Sequence, residues 1–263
     1  MIRTLLIIAL FSSCMPLPAQ YSLDFSTDRN LFFTPGSGRD LGSFASFFFR
    51  ADKGVSTSAL GYGRDISVRQ TQLEAHASLG SRAAGLVQYV QFGNDSYTQQ
   101  TIGLGMAIRL GESAGISLGM NSEKQRFTEG YGKMTSYSGV VSVAMKWRTK
   151  AYFLGSLYIP LVAPHSVVDR FPFSQFSFGY EIGSQCRITT SLRYDGQLHP
   201  SASLWYSPTN RVQLVLGNTH SRSSVFVGLG LNLGKNCWMR YTTFVQSAWG
   251  MSHEIGLAYV VPN

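Results

Sequence analysis

The sequence predicts an all-β fold: an antiparallel, transmembrane, up-and-down β-barrel of about 14 strands, with 16 as the alternative count. Three observations carry this expectation. From residue 55 to the C-terminus, apolar residues alternate with small or polar ones, the period of two that places one set of side chains on each face of a strand. The links between these runs alternate short and long, as the turns and outer loops of such a barrel do. Charged residues make up only 14% of the chain while 44% are hydrophobic, whereas a soluble domain carries roughly a quarter charged. A barrel wall needs apolar side chains on one face alone, which reconciles these two figures. After the N-terminus no apolar run reaches the roughly 18 residues of a helical span.

At the N-terminus, Met1-Ile2-Arg3 followed by the apolar stretch from Thr4 to Phe11 has the positive start and short core of an export signal. Residues 1–19 are expected to be that signal, cut after Leu17-Pro18-Ala19 to leave Gln20; the rival is lipoprotein processing at Cys14, after Phe11-Ser12-Ser13. Residues 20–54 then form an N-terminal segment with two weaker strand-like stretches, Tyr21–Ser26 and Ser43–Phe49. Such a segment either enters the lumen as a plug or adds two strands to the wall.

The barrel proper is expected over 55–263, as one domain without internal repeats. Leu73, Ala75, Ala77 and Leu79 alternate with Gln72, Glu74, His76 and Ser78. Ile102, Leu104, Met106, Ile108 and Leu110 alternate with Gly103, Gly105, Ala107 and Arg109. Further on, Tyr137 and the set Val141, Val143, Met145, Trp147 interleave Ser138, Ser142, Ala144, Lys146 and Arg148. Cys186, Ile188, Thr190, Leu192 and Tyr194 interleave Arg187, Thr189, Ser191 and Arg193. The pattern recurs where Val225, Val227, Leu229, Leu231 and Leu233 alternate with Phe226, Gly228, Gly230 and Asn232. Short links are predicted near 50–54, 80–85, 111–114, 148–150, 183–185, 207–211 and 234–236. Longer ones are predicted near 65–70, 94–99, 122–133, 161–172, 195–199, 218–224 and 247–252. With an even strand count both termini fall on the short-turn, periplasmic side.

Charge at mid-depth on the lipid face costs roughly 2–4 kcal/mol for Arg or Lys. The charged residues of the alternating runs are therefore expected to line the lumen: Glu74, His76, Arg109, Lys146, Arg148, Glu181, Arg187, Arg193, Arg240 and Glu254. Glu181 and Arg187 flank the tight turn at 183–185 and should face each other across a hairpin. That pair reads either as a register-fixing ion pair or as a selectivity group. Gly103, Gly105, Gly179, Gly228, Gly230 and Gly256 share the lumen face, which suits a crowded interior better than a wide aqueous pore. Cys186 and Cys237 should lie four strands apart, about 19 Å at a strand spacing near 4.8 Å, so two free thiols are predicted rather than a disulfide.

Other chemistries find little support. The formal charge is +8, but the basic residues are dispersed rather than clustered as a nucleic-acid surface needs; contacts with lumen groups and outer-membrane lipid account for them. His76, His165, His199, His220 and His253 are scattered, without the convergent ligands that zinc requires. No glycine loop opens a helix to cradle phosphate, so no cofactor is expected. The nearest thing to a hydrolase is Ser221 or Ser252 with His220 or His253 and Glu254, which lacks a recognisable nucleophile motif. The chain therefore reads as a non-enzymatic barrel.

The final strand, Glu254 to Val261, resembles the C-terminal signal by which barrel assembly machinery recognises outer-membrane proteins. Glu254, Gly256, Tyr259 and Val261 fill its polar, glycine, aromatic and hydrophobic places, with Val261 where Phe is usual and Pro262-Asn263 following. Two stretches resemble the PorV-like and PorQ-like barrels, bacteroidete-type relatives of the fatty-acid transporter barrels. One runs Tyr89-Val90-Gln91-Phe92-Gly93, then Tyr97 to Met106, then Gly115 to Gly119. The other comprises Ser203 to Tyr206, Val225 to Leu231 and Gly250 to Tyr259. Where that family carries Asn-Pro-Ala in its N-terminal hatch, this chain has Thr34-Pro35-Gly36. The resemblance implies a 14-stranded outer-membrane barrel that is a channel or carrier for small, hydrophobic solutes. Its alternative is a structural or type IX secretion-associated barrel that binds a protein partner through its outer loops, with loop 161–172 and its Pro164, Phe171 and Pro172 as a contact surface.

Overall fold

The computed structural model describes residues 52–62, 69–127, 133–147, 150–162, 172–183, 185–209, 211–218, 225–234, 237–246 and 250–262. The export signal, most of the N-terminal segment, Arg148 and the contact loop at 163–171 lie outside the described residues. Those described form fourteen strands: β1 (Asp52–Tyr62), β2 (Arg69–Ser78), β3 (Ala83–Gly93), β4 (Tyr97–Arg109), β5 (Ala114–Phe127), β6 (Lys133–Trp147), β7 (Ala151–Val162), β8 (Phe173–Ile182), β9 (Cys186–Tyr194), β10 (Leu198–Thr209), β11 (Val212–Asn218), β12 (Val225–Gly234), β13 (Cys237–Gln246) and β14 (Gly250–Pro262). Each pairs antiparallel with its sequence neighbours, and β1 pairs with β14, so the sheet closes into a barrel without a free edge. Closure satisfies every ladder hydrogen bond internally, the condition for a sheet to cross a bilayer.

Exposure follows the period of two. Along β2, Gln70, Gln72, Glu74 and His76 are buried while the residues between them are exposed. The outward set is apolar: Leu104 and Leu118 are 54% and 57% exposed, as side chains that face lipid would be. On β6 the outward positions run from Trp147 to Tyr137. Ten residues of strand span about 33 Å, which at a tilt near 40° gives an apolar band about 25 Å tall. Aromatic rings form part of it. Near the short turns Phe153 lies against Trp147, Phe176 and Phe178 with centroids 5.1 to 6.2 Å apart, and toward the long-loop half of β13 and β14 Tyr241 stacks on His253 at 5.9 Å.

Two expectations about the links are corrected. The short link expected near 50–54 is strand from Asp52 onward, because Asp52 to Gly54 pair with Pro262 to Val260. The long link expected over 122–133 is mostly ladder: β5 runs to Phe127, β6 starts at Lys133, and Arg126 pairs with Lys133. Beyond the lipid there is no reason to alternate apolar with polar, so the pattern fades although backbone pairing continues. The short-and-long rhythm is correspondingly weaker than predicted, since the links at 94–96 and 195–197 are as short as those at the opposite end.

Gly93, at the end of β3, has φ +138, and a Cβ there would run into the Tyr97 carbonyl oxygen. Gly80 also has positive φ (+103) but open space around it. Gly93→Ala is expected to destabilise the refolded barrel by about 1–3 kcal/mol, with Gly80→Ala at the lower end of that range. The urea midpoints of folding into vesicles measure both, and equal midpoints would contradict the crowding at Gly93.

Candidate functional site: the barrel lumen

Inward positions bring together most of the charged residues. On β13 and β14, Arg240 Nη2 donates to Glu254 Oε1 at 2.8 Å. Arg240 is flanked in register by Gly230 and Gly256, and two neighbours without side chains leave its guanidinium room to lie along the wall. On β2, Glu74 Oε1 and His76 Nδ1 are 3.4 Å apart with side chains 0% and 3% exposed. Arg187 on β9 donates to Glu181 on β8 at 2.6 Å, in the register pair Glu181–Arg187. Its guanidinium also lies 5.6 Å from the centre of the Tyr152 ring. That ring covers Gly179, its register partner, so a larger residue at 179 would displace it. Arg193 stacks 4.1 Å above Phe173 and stands 3.5 Å from Asp195, whose other oxygen meets His199 Nε2 at 2.9 Å.

Hydroxyls share the inward face. Ser117 and Ser142 share a hydrogen bond of 2.6 Å, and Ser191 and Ser201 one of 2.9 Å. All four are less than a tenth exposed, as are Gln88, Gln175, Ser177 and Thr189. Long polar side chains thus occur with short ones in an interior that holds little solvent, a packed arrangement rather than a wide aqueous pore.

Aromatic side chains cross this interior. Phe92, Trp205, Val215, Phe226 and Phe244 form one buried cluster, with Tyr97 packed against it. Phe92 is on β3 and Trp205 on β10, seven strands apart in either direction round the fourteen. The cluster therefore bridges opposite walls. Sequence reasoning missed it, because alternation gives each residue a face without saying which inward residues meet across the lumen. Phe226 stood in plain view on the polar side of its strand.

Glu74, His76, Glu181, Arg187, Arg193, Arg240 and Glu254 all occupy inward positions. Arg109 and Lys146 share the inward parity but stand at the short-turn mouth: Arg109 Nε donates to the Gly111 carbonyl at 2.8 Å, and Lys146 is exposed. An inward carboxylate the sequence reading overlooked is Glu123, 6% exposed and accepting from Gln125 Nε2 at 2.7 Å; it lay inside the stretch read as a loop. In the C-terminal strand Glu254 and Gly256 point inward and Tyr259 outward, and Val261 pairs with Lys53.

Cys186 and Cys237 are free, at the starts of β9 and β13. Ser252 and His253 cannot act together: Ser252 is wholly buried inside, while His253 faces outward, within 2.8 Å of Tyr241 Oη and 3.3 Å of Thr243 Oγ1. Successive residues of one strand lie on opposite faces. Ser221 and His220 lie outside the described residues. Among the described residues no three His, Cys, Asp or Glu converge on a metal position.

No protein-family model matches the chain, and no curated protein matches it either. Solved structures do. The toluene transporter TbuX of Ralstonia pickettii superposes with a TM-score of 0.58 at 8% identity, covering 87% of this chain and 96% of that one. The toluene transporter TodX of P. putida gives 0.57 at 7% identity, covering 83% and 92%. At these identities the likeness is one of fold: an outer-membrane type of β-barrel, closed and antiparallel.

Proposed function

We propose that this barrel sits in the bacterial outer membrane, short turns and termini toward the periplasm, and carries small apolar solutes, with the cluster of Phe92, Trp205, Val215, Phe226 and Phe244 as the place where a solute docks. The observation that supports this reading is the cluster itself. An aqueous channel gains nothing from rings that bridge opposite walls, whereas an apolar solute gains a surface to bury against and an aromatic one gains ring contacts. Both TbuX and TodX are toluene transporters, and a fold shared with them can house such a site. The inward ion pairs fit the same reading, since Arg240–Glu254 and Arg187–Glu181 each tie neighbouring strands of the wall together.

Bromobenzene, an apolar ring that quenches indole fluorescence, tests the proposal on the refolded protein. Saturable quenching is expected from wild type and should vanish in Trp205→Phe, which keeps the ring but removes the reporter. Phe226→Ala, at a residue 2% exposed, should raise the half-saturating concentration roughly tenfold or more, the equivalent of about 1.5–3 kcal/mol of lost contact. Quenching that rises linearly and survives in Trp205→Phe would mean that the probe only dissolves around the other tryptophans, and the docking site would fall. Planar-bilayer conductance is expected to be negligible; a large steady conductance would favour an open pore.

A further inference from the structure

On the outer surface of β2 to β6, register pairing stacks three rows of outward side chains. The first ends the apolar band: Leu73, Tyr89, Ile102, Ser122 and Tyr137. Two residues further along each strand, away from the short turns, Thr71, Gln91, Gln100, Lys124 and Thr135 stand side by side. In the last row Arg69, Thr98, Arg126 and Lys133 flank Gly93. Arg69, Lys124, Arg126 and Lys133 are all exposed, and neither polar row carries a carboxylate; Asp95 stands in the turn between Gly93 and Thr98. The five strands span about 19 Å at roughly 4.8 Å each. On β12, β13 and β14, by contrast, the register row nearest the long-loop end among the described outward residues is apolar: Val225, Val245 and Met251, at 48%, 53% and 53% exposure.

We infer that this terrace binds the headgroup of a phosphorylated glycolipid in the leaflet that surrounds the long-loop end. Its height follows from the band: the cations begin one outward position beyond Tyr137 and Ser122, where hydrocarbon gives way to headgroups. Arg126 and Lys133 are register partners, close enough to hold one phosphate between them, and Lys124 lies diagonally beside both. The middle row, neutral apart from Lys124, argues for sugar as well as phosphate. Its hydroxyls and amides are the donors and acceptors that sugar hydroxyls take, and Tyr89 Oη donates to Gln91 Oε1 at 3.0 Å, which turns the Gln91 amide nitrogen outward. Within the apolar band the outward positions of these five strands carry no charge, so their cations gather only at this height. This inference does not depend on what the lumen carries.

The test uses the full chain refolded into phosphatidylcholine vesicles containing a minor fraction of diphosphorylated lipid A, of phosphatidylglycerol, or of a neutral diglycosyl lipid. After detergent extraction and repurification, the guest lipid retained per barrel is measured at low and high salt. Lipid A should be retained well above the other two. In Lys124→Gln/Arg126→Gln/Lys133→Gln that retention should fall by at least about tenfold, with its salt dependence gone. Heat-modifiable electrophoretic mobility checks the fold; if the triple variant does not fold, Arg69→Gln and Lys124→Gln singly should each lose severalfold. Equal retention of phosphatidylglycerol, of the neutral glycolipid, or of lipid A by folded variants would overturn the inference, as would no retention by wild type.

Discussion

Arg240→Met should lower the stability of the refolded barrel by about 3–5 kcal/mol, because it leaves the Glu254 carboxylate buried without its cation. Glu254 is 3% exposed and its Oε1 accepts from Arg240 Nη2 at 2.8 Å. Removing one member of such a pair costs more than the pair contributes, since the remaining charge keeps its desolvation penalty. Joining Glu254→Leu to Arg240→Met should therefore restore most of the loss. Urea titration of folding into vesicles, followed by tryptophan fluorescence, gives the three free energies. If the double variant were as unstable as Arg240→Met alone, the cost would lie in lost packing around the Arg240 stem rather than in the orphaned charge. The experiment also bears on assembly, because Glu254 is the first residue of the stretch that resembles a C-terminal assembly signal. A double variant that is stable once refolded, yet poorly inserted in cells, would separate its role in the wall from its role as a tag.

Leu118→Arg is expected to destabilise by about 2–4 kcal/mol, since it puts a guanidinium on the lipid face near mid-depth. Leu118 is 57% exposed and pairs with Met106 and Val141, so its neighbours offer nothing polar. Ser122→Arg, on the same face of the same strand but beside Tyr137 and Ile102 at the edge of the band, should cost only about 0–1 kcal/mol. The difference between two arginines about 13 Å apart along β5 measures where the membrane ends. Equal costs would mean that the outer surface of β5 does not face hydrocarbon at that depth.

Much of the wall was legible from residue order. On β9, Arg187, Thr189, Ser191 and Arg193 turn inward and Ile188, Thr190, Leu192 and Tyr194 outward, as the alternation required. The Glu181–Arg187 contact was foreseeable too, because a tight turn fixes which residues of a hairpin face each other. Less legible were the ends of β5 and β6. Lys124, Arg126 and Lys133 carry no apolar partner pattern, so a strand standing above the membrane looked like a loop. Inward and outward parity also says nothing of height, and for that reason Arg109 and Lys146, inward by parity, proved to stand at the mouth.

What residue order determined by itself is the face each side chain occupies, because a strand's period is a local property of its backbone and lipid enforces it on every strand alike. Which inward residues meet is decided only by closure. Nothing in the spacing of Phe92 and Trp205 marks them as neighbours, with more than a hundred residues between them. They join one cluster because fourteen strands curl until β3 faces β10, and a contact across the lumen depends on strand number and stagger for the whole barrel rather than on any local run of sequence.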